Sequence, residues 1–236
     1  MLKKSFSVLV CFALCTTLLL SPAGAAEKSS SAAMNIPAES SVGDGTVIQP
    51  PTATFLDISG HWAVEYIEKA IAQNLVLGST EFFRPDEPMT RAECITILWQ
   101  VNGMPQSKEA SSFTDLDQDW YRDAVAWAQE QGMVKGVGNG LFDPYGLITR
   151  EQVAVLLHRM AGSPTGMELM FSGVYDHGFS DSVLISSWAK RSLYWSIFNV
   201  IYCGVNSTEV GTELKPTDAA SRAQIAVMVT RYLEER

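Results

Sequence analysis

This sequence is poor in the residues that metal and redox chemistry needs. Three histidines, His61, His158 and His177, are scattered along 236 residues, and the four cysteines form no Cys/His cluster at metal-ligand spacing. Positive charge is also scarce: 17 Lys and Arg face 26 Asp and Glu, for a formal net charge of −9. A nucleic-acid partner needs a basic face, so that class drops out. A few arginines can still build a local anion site inside an acidic chain. There is no Ser-His-Asp order, zinc-protease motif or phosphate loop, and no pair of carboxylates recurs in a distinct setting. The chain therefore reads as non-enzymatic and without cofactor or metal. With 47 % hydrophobic and 18 % charged residues, its composition is that of a globular protein.

What is present begins with an export signal. Lys3 and Lys4, an apolar stretch from Ser5 to Leu20 and the small residues Ala23-Gly24-Ala25 make residues 1–25 a secretory signal peptide. The stretch is short for a membrane span, and Cys11 and Cys15 lack the small-residue context of a lipid-anchor site. A secreted product with no membrane contact after cleavage is expected. Residues 26–54, rich in Ser, Ala, Pro and Gly without apolar periodicity, read as a flexible linker. Cleavage leaves Cys94 and Cys203, which an exported protein could pair.

The remainder is an internal repeat. Phe55-Leu56-Asp57, Phe113-Thr114-Asp115 and Phe179-Ser180-Asp181 each open a unit, followed by Trp62, Trp120 and Trp188. Sixteen residues after each tryptophan stands a glycine, Gly78, Gly136 or Gly204. Then come Pro85, Pro144 and Pro216, and five residues after each proline a hydroxyl residue with arginine behind it: Thr90-Arg91, Thr149-Arg150 and Ser221-Arg222. These landmarks place the units at residues 55–105, 113–162 and 179–236.

Each unit reads as helix, loop, helix, the first helix ending where the glycine stands. The second helices carry apolar stripes at i, i+3, i+4 and i+7: Cys94, Ile97, Leu98 and Val101; Val153, Leu156, Leu157 and Met160; Ile225, Met228, Val229 and Tyr232. Cys94 thus fills a core slot. One helix pair buries too little to stand alone. Three pairs packed through their second helices predict a mainly α domain with pseudo-threefold symmetry.

Thr90-Arg91-Ala92-Glu93, Thr149-Arg150-Glu151-Gln152 and Ser221-Arg222-Ala223-Gln224 are capping boxes, which accounts for the hydroxyl residue and the Glu or Gln. They do not account for the arginine, whose charge in a first helical turn is unfavourable by up to ~1 kcal/mol. Two uses fit. Arg91, Arg150 and Arg222 could hold a carboxylate or phosphate before free helix N–H groups. Alternatively, they could form internal salt bridges, for instance to Asp57, Asp115 and Asp181. Trp62, Trp120 and Trp188 could be core, or could stack on sugar rings in a cleft lined with these arginines and aspartates.

The FxD opening, the tryptophan, the glycine sixteen residues on, the loops Phe83-Arg84-Pro85 and Phe142-Asp143-Pro144 and the TRAE-like box together resemble the S-layer homology family. The resemblance covers residues 55–236. It implies a three-pronged spindle around a central helical bundle, with grooves between the repeats. It also implies binding of an anionic secondary cell-wall polysaccharide, often pyruvylated, with Arg91, Arg150 and Arg222 as ligands to the acidic sugar. Departures cluster late. The second box places Glu151 beside its arginine. In the third unit Phe-to-Trp spacing is nine rather than seven, Gly-to-hydroxyl spacing is 17 against 12 and 13, and Leu214-Lys215-Pro216 replaces F-x-P. Non-covalent anchoring at the cell wall is the leading expectation, with wall polysaccharide or peptidoglycan as partner. The other is a surface assembly protein whose repeats contact surface proteins without binding sugar.

Overall fold

The computed structural model describes residues 55–75, 81–166, 173, 178–208 and 211–236. The expected signal peptide and linker, Gly78 and His177 lie outside the described residues. The described chain is mainly α: α1 (Val64–Ala72), α2 (Arg91–Val101), α3 (Asp119–Glu130), α4 (Arg150–Met160), a 3-10 turn (Ser182–Leu184), α5 (Lys190–Phe198) and α6 (Arg222–Glu234). A two-stranded antiparallel hairpin, β1 (Val205–Thr208) and β2 (Gly211–Glu213), precedes α6. The hairpin absorbs the extra residues between Gly204 and Ser221, and the 3-10 turn those between Phe179 and Trp188.

The capping boxes form as expected. The side chains of Thr90, Thr149 and Ser221 accept from the N–H groups of Glu93, Gln152 and Gln224, whose side chains reach back to the cap N–H. Helix ends differ from expectation. The first helix of each unit stops four residues before the recurrent glycine, at Asn74, Gly132 and Val200, all at positive φ (56°, 66° and 60°). There Leu75, Met133 and Ile201 donate back to the carbonyls of Ala70, Ala128 and Ser196, closing Schellman turns. Gly136 serves a later close approach. At φ +72°, a Cβ there would lie 2.3 Å from the Leu141 carbonyl oxygen and 2.6 Å from the Phe113 ring.

Helix partners also differ from the helix-pair expectation. Each first helix packs on the second helix of the preceding unit: α3 on α2, α5 on α4, and α1 on α6. The apolar stripes are buried as read except at Val101 and Met160, which are half-buried, and α4 and α6 are buried on nearly every face, which places them inside the domain. Cys94, Val153 and Ile225 occupy corresponding positions, each with no exposed surface.

Where the second helices begin, the three units close a ring of backbone hydrogen bonds. Met89 N–H donates to Ala220, Ala220 N–H to Ile148, and Ile148 N–H to Met89, at 3.0, 2.8 and 3.0 Å. Thr90 and Leu147, Thr149 and Ala219, and Ser221 and Pro88 form the flanking bridges. The bonding pattern is therefore cyclic and pseudo-threefold.

Candidate functional site

The two F-x-P loops and the Leu214-Lys215-Pro216 loop that replaces the third have their middle residues in the left-handed region: Arg84, Asp143 and Lys215 at φ 58°, 59° and 50°. A non-glycine residue there costs about 1–2 kcal/mol, and the aspartate of each FxD opening offsets it. Asp57 accepts from the N–H groups of Phe83 and Arg84 at 2.8 and 2.6 Å, Asp115 from Phe142 and Asp143 at 2.8 and 2.7 Å, and Asp181 from Leu214 and Lys215 at 2.8 and 2.7 Å. Partial burial raises the Asp57 carboxyl, but the Phe83 and Arg84 donors and the Arg84 charge outweigh it and hold the pKa below the ordinary carboxylate value. All three aspartates thus clamp their own unit's loop with both oxygens.

The helix N-termini are not open to an anion. The N–H groups of Arg91 and Ala92 donate to the Gly146 and Pro144 carbonyls, those of Arg150 and Glu151 to Asp218 and Pro216, and those of Arg222 and Ala223 to Glu87 and Pro85. Every box is plugged by the next unit's loop. The expected free N–H groups are absent because assembly of the ring uses them.

The arginine side chains follow the same cycle. Arg91 Nε donates to the Phe142 carbonyl at 3.0 Å, Arg150 Nε to Leu214 at 2.9 Å, and Arg222 Nε to Phe83 at 2.7 Å. Beyond this shared bond they diverge. Arg150 is 4 % exposed, and its Nη2 donates to the Cys203 carbonyl at 2.9 Å. Its neighbour Glu151 turns away and accepts from the Ser186 N–H and hydroxyl at 3.0 and 2.7 Å. Arg222 is 9 % exposed, with Nη1 3.5 Å from a Glu93 carboxylate oxygen. Arg91 is half-buried, and among the described residues nothing is bonded to its terminal nitrogens. Burial lowers its pKa, opposed by the charge of Asp143, yet an arginine stays cationic at neutral pH.

Trp62, Trp120 and Trp188 are 64 %, 49 % and 57 % exposed, so none is a core residue. Trp188 joins Arg91 in a groove of about 330 Å³ drawn from all three units. Lys135, Gln152 and Arg159 add polar groups there, and Val134, Phe142 and Ile148 an apolar floor. Arg159 is held by its bond to the Met133 carbonyl at 2.6 Å, and burial lowers its pKa. The groove thus presents three cations and an exposed indole within an acidic protein, a setting for an anionic ligand with an apolar face. Lys135 and Arg159 were missed by sequence reasoning. A signal existed for Arg159, since it and Arg231 both stand ten residues after their cap, where the first unit has Gln100. Among the described residues, no group of three or more His, Cys, Asp or Glu side chains could hold a metal.

The first two units are S-layer homology domains, the family's model matching residues 54–94 and 112–154. Among curated proteins the chain is similar to the S-layer protein sap of Bacillus anthracis, 36 % identical over 117 residues, covering 47 % of this chain and 14 % of that protein. It is similar to the amylopullulanase of Thermoanaerobacterium thermosulfurigenes, 28 % identical over 184 residues, covering 77 % of this chain and 10 % of that enzyme. The surface-layer 125 kDa protein of Lysinibacillus sphaericus is 29 % identical over 183 residues, covering 76 % of this chain and 15 % of its own length. The matched stretches are thus a small share of these relatives. The family match and these likenesses make this an exported protein of the cell surface. No helix among the described residues is long and apolar enough to cross a membrane.

Proposed function

We propose that this protein is a non-covalent cell-wall anchor that binds an acidic wall polysaccharide, such as a pyruvylated secondary polymer. The observation that carries this reading is the Arg91 groove, where Lys135 and Arg159 add charge and Trp188 an exposed ring. Arg91 offers a planar fork suited to a carboxylate, and the indole face suits the C–H face of a sugar. Residues 179–236 act as a third, divergent unit in this reading, because they complete the hydrogen-bond ring. The S-layer homology match and the surface-layer relatives support the wall as the target.

The test is co-sedimentation of residues 26–236 with the producer's cell walls, intact or stripped of secondary polymer. Binding only to intact walls is expected, and Arg91→Ala should abolish it. Equal binding to stripped walls would move the target to peptidoglycan. No binding to either would favour the assembly reading, to which the internal use of Arg150 and Arg222 already lends some weight.

A further inference from the structure

The three units place corresponding residues around three corresponding grooves, and the side chains at a few positions set each groove's fate. Beside Arg91 stands Val134, fourteen residues after Trp120, and the space is open. Fourteen residues after Trp188 the chain has Tyr202 instead. Tyr202 is fully buried, the Arg150 guanidinium lies over its ring at 4.5 Å, and Arg150 Nε is 3.1 Å from its hydroxyl. The hydroxyl in turn donates to the Leu214 carbonyl at 2.7 Å. A phenol therefore occupies the room that the shorter valine leaves empty, and the arginine is turned onto protein acceptors.

A second position acts on charge. The last residue of the first two boxes faces the arginine of the unit before it in the ring. Gln152 lines the Arg91 groove as a neutral amide, whereas Glu93 meets Arg222 as a carboxylate. A carboxylate there both neutralises the arginine and repels an incoming acid. The second cation is missing as well, since Gln100 stands where the open groove has Arg159. Among the described residues, the cavity beside Arg222, lined by Leu75, Phe83, Met89 and Ile97, is about 10 Å³, and residues 76–78, which correspond to Val134, Lys135 and Gly136 of the open groove, lie outside them.

We infer that Tyr202 and Glu93 confine acidic-glycan binding to the Arg91 groove, so that each chain takes one ligand and the other two arginines hold the units together. This rests on the wall-anchor reading above. Tyr202 is the plug of the second groove, and shortening it to valine reopens that groove around Arg150.

The experiment counts bound ligands by native mass spectrometry. Its probe is acidic wall glycan released with a muramidase and fractionated to short fragments. Circular dichroism melting checks the fold of each variant. Wild type should bind one fragment, Arg91→Ala should bind at least tenfold more weakly, and Tyr202→Val should bind two. Two or three fragments on wild type, or undiminished binding by Arg91→Ala, would overturn the single-groove inference and leave the anchor reading standing. No binding by wild type would overturn both. A folded Tyr202→Val that still binds one fragment would remove Tyr202 as the plug. If Tyr202→Val does not fold, the wild-type count and the Arg91→Ala result decide the single-groove inference.

Discussion

The Arg150 guanidinium lies over the Tyr202 ring, its central carbon 4.5 Å from the ring centre, and the residue is almost wholly withdrawn from solvent. A buried arginine that loses its side chain withdraws its hydrogen bonds from every acceptor it reached. Arg150→Ala takes away the donors to the Cys203 carbonyl and the Tyr202 hydroxyl, leaves the Leu214 carbonyl with the Tyr202 hydroxyl alone, and should destabilise the fold by about 3 kcal/mol. Arg91→Ala removes one backbone bond and a contact with the Phe142 ring, offset by the loss of a charge unfavourable to the helix. It should cost about 1 kcal/mol or less. Urea denaturation of the two variants checks the ordering.

Gly136 and Gly132 both have positive φ but differ in surroundings. At Gly132 an added Cβ meets open space, whereas at Gly136 it collides with the Leu141 carbonyl and the Phe113 ring. Gly132→Ala should cost about 1 kcal/mol and Gly136→Ala about 3 kcal/mol, the excess being steric. Gly136→Ala should also weaken glycan binding, because Gly136 lines the Arg91 groove. Thermal melts and the wall-binding assay read the two effects separately.

The clamp at Asp57 gives a pH signature. Its folded pKa is lowered relative to the ordinary value of 3.8. Its contribution is therefore fully present above that value and is lost as pH falls through the folded pKa. Asp57→Asn should be less stable than wild type at pH 7, and the gap should narrow below about pH 4. Urea midpoints for both proteins across pH 2–7 test this; a constant gap would mean the clamp does not depend on the carboxylate charge.

Cys94 is sealed in the core, and burial pushes its thiol up to about 12. It is not disulfide-bonded, and neither is Cys203. Iodoacetamide at pH 8 should leave Cys94 unmodified in the native protein and alkylate it once the chain is unfolded in urea, as read by peptide mass spectrometry.

Much of this was legible in the chain. The capping boxes, the buried stripes of the second helices and the packing role of Cys94 followed from spacing, because those features are local and a helix repeats every 3.6 residues. What lay between units was not. The order of landmarks says what each unit contains, but not that α3 leaves its own unit to pack on α2. The helix ends were not legible because Asn74, Gly132 and Val200 share a conformation without sharing a residue type, whereas the glycine that does recur stands four residues further on. The aspartates looked like ligands because their real partners are backbone N–H groups, which no side-chain pattern reveals. The arginines looked equivalent because what separates them stands on another unit: Val134 or Tyr202, and Gln152 or Glu93.

The backbone ring through Met89, Ala220 and Ile148 makes three a closed number. In an open stack of repeats a unit can be added or deleted at an end, since each touches only its neighbours in sequence. Here α1 rests on α6, joined also by Lys69 and Glu234 at 2.5 Å, so the first unit is completed by the last. Deleting any one unit exposes two orphaned faces, each shaped for the other's missing partner. A two-unit fragment is thus built to trade elements with a second chain, and a fourth unit has no seat.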